Sequence, residues 1–160
     1  RLTTVLPDDE AVGRLAAESF LLRGYRHVAF FGASETGFAR ERLTGFTERL
    51  GRVTPSVCDP SRDSVARWLA RLPRPAAVFA CNDHFALTLL HHCSAAGIDV
   101  PSEVAVLGVD NDSLFASISK PTLSSIALPT VEIGERAAQL LEKRMNGQAV
   151  ASMTRIAPLG

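Results

Sequence analysis

Neither sign of charge is in excess: Lys plus Arg number 17 and Asp plus Glu number 17. Phosphate binding needs a local surplus of Lys and Arg, so this balance argues against a dedicated nucleic-acid surface inside the segment. Cysteine is scarce and odd in number, with only Cys58, Cys81 and Cys93. That excludes a disulfide framework and reads as free thiols in a reducing cytoplasm. No apolar run approaches the roughly 18 residues that a membrane helix needs. No basic start followed by an apolar stretch marks a secretory signal. The first residue is Arg1 rather than Met, so the sequence reads as a segment. Walker-type glycine-rich loops and the G-x-S-x-G elbow are both missing, which leaves catalysis without positive support. Internal repeats, low-complexity tracts and Pro- or Ser-rich linkers are missing too, so residues 1–160 read as a single unit.

What is present is the material of a folded domain. Apolar residues make up 46% of the 160 residues, enough for a chain of this length to bury about two-thirds of its unfolded surface. Helical spacing predicts a helix over residues 10–23 from Val12, Leu15, Ala16 and Phe20, opened by Asp8, Asp9 and Glu10 and ended by Gly24. Further helices are predicted over 38–50, 61–71, 83–96 and 130–146. Between them lie short apolar runs that read as strands: 27–31, 53–57, 76–80, 104–107 and 153–157. A polar loop is predicted from 108 to 125. Strands alternating with helices imply parallel β-α-β units, and continuous apolar strands imply cover on both faces. The predicted class is therefore α/β, an open and mostly parallel sheet with helices on both faces.

Ligands of such sheets bind at the carboxyl ends of the strands. The first apolar strand ends in Gly32, Ala33 and Ser34, with Arg40 and Arg42 soon after. Another ends in Cys81, Asn82 and Asp83, and a third in Gly108, Val109, Asp110, Asn111 and Asp112. Carboxylates accept from hydroxyls, Arg donates to hydroxyl oxygens and Asn does both, so this set suits a neutral polyhydroxylated ligand. The same residue types also cap helices and shape turns after strands, and Asp83 in particular has the position of a helix N-cap. His91, His92 and Cys93 are adjacent on a predicted helix and fan out by about 100° each, so they do not converge on a metal. Neither a metal nor a cofactor is expected.

Several stretches together resemble the LacI/GalR family of transcriptional regulators. They are Asp8 to Glu18, Arg23 to Phe30, Ala39 to Phe46, Ala80 to Asp83 with Ala86, Val104 to Asp112, and Pro121 to Ile126 followed by Ile133 and Gly134. The resemblance covers essentially the whole sequence in order. The run from Leu72 to Pro75, with Cys81 to Asp83 and Gly108 to Asp112, is most similar to the xylose-responsive branch, in which an AraC-type DNA-binding domain follows the sensor domain. The resemblance implies one lobe of a periplasmic-binding-protein-like sensor, the second of two, plus a helix that crosses back. It implies an effector, a sugar by the family pattern, held in the cleft between lobes, with DNA bound by a domain outside this segment. It also implies a cytoplasmic homodimer with no membrane partner and no enzymatic activity. Carried over by motif, Arg42, Asn82 and Asp110 match effector-contacting positions, with Arg42 donating to and Asp110 accepting from sugar hydroxyls. Ala127, Leu128 and Pro129 depart from the family, many members of which place a polar contact there. A periplasmic sugar-binding transport receptor shares the same fold and strand-end pattern and is the alternative. A Mg-dependent enzyme built on Asp83, Asp110 and Asp112 is a more distant one. On the family reading the 130–146 helix would lack its usual partner here, so it is expected to pair with a second copy or tuck onto its own sheet. Effector binding by half a cleft is expected to be weak.

Overall fold

The computed structural model describes residues 3–33 and 35–160, so Ser34 of the first predicted strand end lies outside the described residues. The elements run β1 (Thr4–Pro7), α1 (Asp9–Leu22), β2 (His27–Phe31), α2 (Gly37–Leu50), β3 (Ser56–Cys58), α3 (Val65–Arg71) and β4 (Ala76–Ala80). They continue as α4 (Asp83–Ala95), β5 (Val104–Asp110), α5 (Ser113–Ile118), β6 (Ser124–Ala127), α6 (Thr130–Met145) and β7 (Met153–Ile156). Five strands pair in parallel in the order β3-β2-β4-β5-β6. β1 and β7 form a separate parallel pair in which Thr4 faces Met153 and Pro7 faces Ile156.

Strand periodicity sorts the core into two layers. Val28, Phe30, Ala77 and Phe79 pack with Val12, Ala16, Phe20 and Phe46 of α1 and α2. The alternating partners Ala29, Phe31, Ala76 and Val78 pack with Val65, Leu69, Leu89 and Cys93 of α3 and α4. Helices therefore cover both faces, as the continuous apolar strands imply. α1 and α2 touch backbone to backbone. A Cβ on Gly13 would sit 2.0 Å from the Arg42 carbonyl oxygen, and one on Gly45 would sit 2.0 Å from that of Glu10. Only glycine lets the two helices approach this closely.

Three elements go beyond the sequence expectation. The predicted 108–125 loop contains the six-residue α5 and the start of the four-residue β6, and β5 itself extends to Asp110. Both insertions are too short to display a period. β1 exists because β7 pairs with it from the far end of the chain. The second predicted strand moves from 53–57 to Ser56–Cys58, and the 61–71 helix begins only at Val65. Asp59 explains the late start: it accepts from the backbone N–H of Ser61 at 3.0 Å and from the Ser61 hydroxyl at 2.6 Å, holding a turn.

α6 does not tuck onto the five-stranded sheet. It lies against β1, and Leu140 is its one buried residue. Ala137 is exposed, as is Leu141 at 61%.

Candidate functional site

Within the five-stranded sheet the chain steps outward from β2 to β3, then returns past β2 to β4. The reversal between β2 and β4 is a topological switch point, where a crevice opens at the carboxyl ends of the strands. All five strands are parallel, so Gly32, Cys81 to Asp83, and Asp110 to Asp112 emerge on one edge. Among the described residues, Arg42, Asn82 and Asp110 come together here.

Arg42 reaches this edge from α2. It is almost wholly buried, at 4% exposure, and spans the switch point. Its Nε donates to the Asp9 carboxylate at 2.7 Å, and its Nη1 donates to the Cys81 carbonyl at the end of β4. The guanidinium carbon also lies 5.1 Å from the centre of the Phe38 ring, which is itself 41% exposed. Arg42 carries five N–H donors in a planar fork, so two bonds to protein hold it without exhausting it. Burial pushes the Asp9 carboxyl above its ordinary range, and the Arg42 charge pulls it back.

Asn82, not Asp83, is the N-cap of α4: its Oδ1 accepts from the Phe85 N–H at 3.0 Å. That corrects the cap expected at Asp83, and the reason is register, since α4 begins at Asp83. The amide NH2 of Asn82 is what it retains for a ligand. Asp83 turns inward instead, at 1% exposure. It accepts from the Ser125 hydroxyl at 2.6 Å and from the Asp112 N–H at 3.0 Å. Burial raises its carboxyl above the ordinary range, while those hydrogen bonds work the other way.

Asp110 ends β5 exposed, with φ of 113°, and Asn111 follows with φ of 51°. Two successive non-glycine residues on the positive side of φ are uncommon, and such strain clusters where a side chain must be aimed. Loss of water around Asp110 pushes its carboxyl up, and Arg42 is the strongest opposing influence. The edge thus sets a cation and an acceptor in one electrostatic field, with an amide donor at the turn from β4 into α4. Such a set can hydrogen-bond a neutral polar ligand from several sides. Beneath it Cys81 is fully buried, and burial pushes its thiol up to about 12, so it stays protonated and inert. Among the described residues no group of three or more His, Cys, Asp or Glu side chains is placed to hold a metal ion.

Sequence reasoning missed Asp9, Phe38 and Ser125. Asp9 looked like one of three acidic residues opening α1, yet Asp8 is the cap, accepting from the Ala11 N–H at 2.9 Å. No local signal separates the two. Phe38 stands four residues before Arg42 on the same predicted helix, so i,i+4 spacing could have pointed to it, whereas Ser125 declares itself only through Asp83, 42 positions away. At the departure noted after Ile126, Ala127 is tied through its backbone to the C-terminal segment: its N–H donates to Gly160 and its carbonyl accepts from Leu159.

Among the described residues no helix is long and apolar enough to cross a membrane. Residues 17–159 match the family described as a periplasmic binding protein-like domain. The xylose operon regulatory protein of Haemophilus influenzae is 41% identical over 162 residues, covering 92% of this chain and 42% of that protein. The transcriptional repressor PurR of Photobacterium profundum is 29% identical, covering 90% of this chain and 47% of its own length. This chain thus spans a little under half the length of these curated relatives. Among solved structures, the transcriptional regulator CelR in complex with cellobiose superposes with a TM-score of 0.77 at 31% identity, over 98% of this chain and 51% of that one. A LacI-type regulator from Alkaliphilus metalliredigens, complexed with D-xylulofuranose, superposes with a TM-score of 0.82 at 20% identity, over 98% and 62%. These named relatives are regulators rather than transport receptors or enzymes. The chain belongs to the periplasmic binding protein-like domain family, and its homologues are transcriptional regulators of the LacI type.

Proposed function

We propose that this chain is the second lobe of an effector-sensing domain, and that a sugar binds where its sheet edge faces a first lobe outside the segment. The observation that carries the reading is the juxtaposition, at the switch point, of buried Arg42 with the Asp110 carboxylate. Arg42 donates to ring or hydroxyl oxygens, Asp110 accepts from two hydroxyls, and the Asn82 amide adds a donor. The exposed Phe38 face beside Arg42 offers an apolar platform for the C–H side of a sugar ring. The relatives and neighbours support a saccharide: one is named for a xylose operon, one is complexed with cellobiose and one with D-xylulofuranose.

The mechanism is a population shift without bond chemistry. Sugar held between lobes favours one lobe arrangement over another by its differential affinity, and that difference biases DNA binding by a domain outside this chain. The protein acts in the cytoplasm as a homodimer, consistent with the symmetric assembly common to such proteins.

Calorimetric titration of the chain with D-xylose, D-xylulose and cellobiose tests the ligand class. One of them binds weakly, because half the cleft is present. Replacing Asp110 by Ala weakens it by about 1.5 to 3 kcal/mol, the scale of hydrogen bonds to a charged group. Binding that survives Asp110→Ala unchanged, or no heat with any of the three sugars, defeats the reading.

A further inference from the structure

Asp83 is a buried carboxylate that the effector contacts do not use, and it lies next to a strained turn of the site. Its Oδ1 takes the Ser125 hydroxyl at 2.6 Å, and its Oδ2 takes the Asp112 N–H at 3.0 Å. The Ser125 oxygen in turn accepts the Asn111 N–H at 2.9 Å. One carboxylate and one hydroxyl therefore hold both backbone N–H groups that follow Asp110. Those are the groups whose direction is set by the positive φ values at Asp110 and Asn111. A strained backbone persists only where its surroundings over-determine it. From the β5 side the carboxylate has no room to move: a Cβ on Gly108 would sit 2.2 Å from Asp83 Oδ1. Gly108 stands two residues before Asp110 on the same strand, so the strand itself makes space for the clamp.

We infer that Asp83 and Ser125 are positioning residues of the effector site, which clamp the Asp110–Asn111 turn and so aim the Asp110 carboxylate into the cleft. The inference rests on the reading of Asp110 as an effector contact. It extends that reading from the residues that touch ligand to a pair that does not. Asp83, just past β4, is tied to Asp112 past the end of β5 and to Ser125 within β6, so it links three neighbouring strands of the sheet. The clamp has an acceptor-only member and a hydroxyl that both donates and accepts, so each polar atom has a defined partner.

The test is amide hydrogen exchange by NMR on the chain itself, with the Asp110 side-chain carboxyl resonance followed in the same samples. Variants are Ser125→Ala, Ser125→Thr and Gly108→Ala. Ser125→Ala removes the hydroxyl, and Gly108→Ala crowds the carboxylate while keeping every hydrogen-bonding group. Both are expected to speed exchange at Asn111 and Asp112 by about tenfold, the scale of one lost partner at a buried polar group. Both also shift the Asp110 carboxyl resonance, while protection across β2 and β4 is retained. Ser125→Thr restores the hydroxyl and the wild-type pattern. Unchanged exchange at Asn111 and Asp112, or protection lost equally across the whole sheet, overturns the inference. An unmoved Asp110 resonance does so as well. D-xylose titrated into the same samples separates the two readings. If wild-type chain ignores the sugar while the turn responds as described, the ligand proposal fails and the clamp stands.

Discussion

The five-stranded lobe and the unit formed by β1, α6 and β7 obey the same patterning rules with opposite results. In the lobe, β4 is buried at every position and each face of the sheet meets a pair of helices. In the smaller unit, α6 has a clear apolar stripe yet buries only Leu140, and Val131 and Met145 stay 75% and 79% exposed. Amphipathicity states that a helix needs a partner. It does not say whether the partner lies in the same stretch of chain. The two units are joined by backbone and by a paired Arg155 and Glu41, whose bonds measure 2.6 and 3.1 Å. That pair is a surface contact, worth little beside the packed core of the lobe.

The strongest test of this contrast is Phe46→Ala. Phe46 is wholly buried, with its ring 6.0 Å from Phe20 and 5.2 Å from Phe79. Urea unfolding is expected to show a loss of about 3 to 5 kcal/mol. Asp9→Ala should follow at about 3 kcal/mol, because it strands the buried Arg42 charge without its partner. A cost under about 1 kcal/mol would mean that water reaches Arg42 in solution.

A gentler test is pH. Burial raises the Asp9 and Asp83 carboxyls above their ordinary value of 3.8, and partial loss of water raises that of Asp110 although the residue stays exposed. A raised carboxyl takes up a proton on folding, so its stabilisation is complete below the ordinary value and is lost as pH rises through the raised folded value. Glu41 and Glu103 are lowered, by Arg155 and by the Asp99 backbone N–H respectively, so they act only below their ordinary 4.5. Unfolding free energy should therefore decline as pH rises from about 4.5 to neutrality in the wild type, and decline less in Asp83→Asn. An equal slope in the two proteins contradicts the burial of Asp83.

The smallest effect belongs to the other unit. Leu141→Ala is expected to change stability by no more than about 0.5 kcal/mol in dilute solution, as for an exposed position. A larger cost that appears only at high protein concentration would show that a second copy covers the face. Equilibrium sedimentation over the same range checks it directly.

Much of the lobe was legible because its elements carry their own period. Strands 27–31 and 76–80 coincide with β2 and β4, and the helices over 10–23, 38–50 and 83–96 differ from α1, α2 and α4 by a residue at one or both ends. The placement of the candidate residues on one edge was legible in outline, since strand ends in a parallel sheet converge by topology alone. What stayed hidden was each residue's assignment between ligand, cap and clamp. Asp8 and Asp9 are chemically identical neighbours, yet one caps a helix and the other pairs with Arg42, thirty-three positions away. The cap expected at Asp83 falls to Asn82 for the same reason: a single step of helix register decides which side chain faces the cap and which the interior.

The sequence by itself determined the layers of this protein, because apolar spacing and glycine positions act within a few residues of one another. Tertiary structure alone decided the β1–β7 pair, the Asp9–Arg42 bond and the Asp83–Ser125 clamp. Each of these joins residues at least thirty-three positions apart, whose interaction exists only after the sheet has brought them together. Hydrogen bonds and ion pairs act over a few ångströms, so local pattern has no means of announcing them.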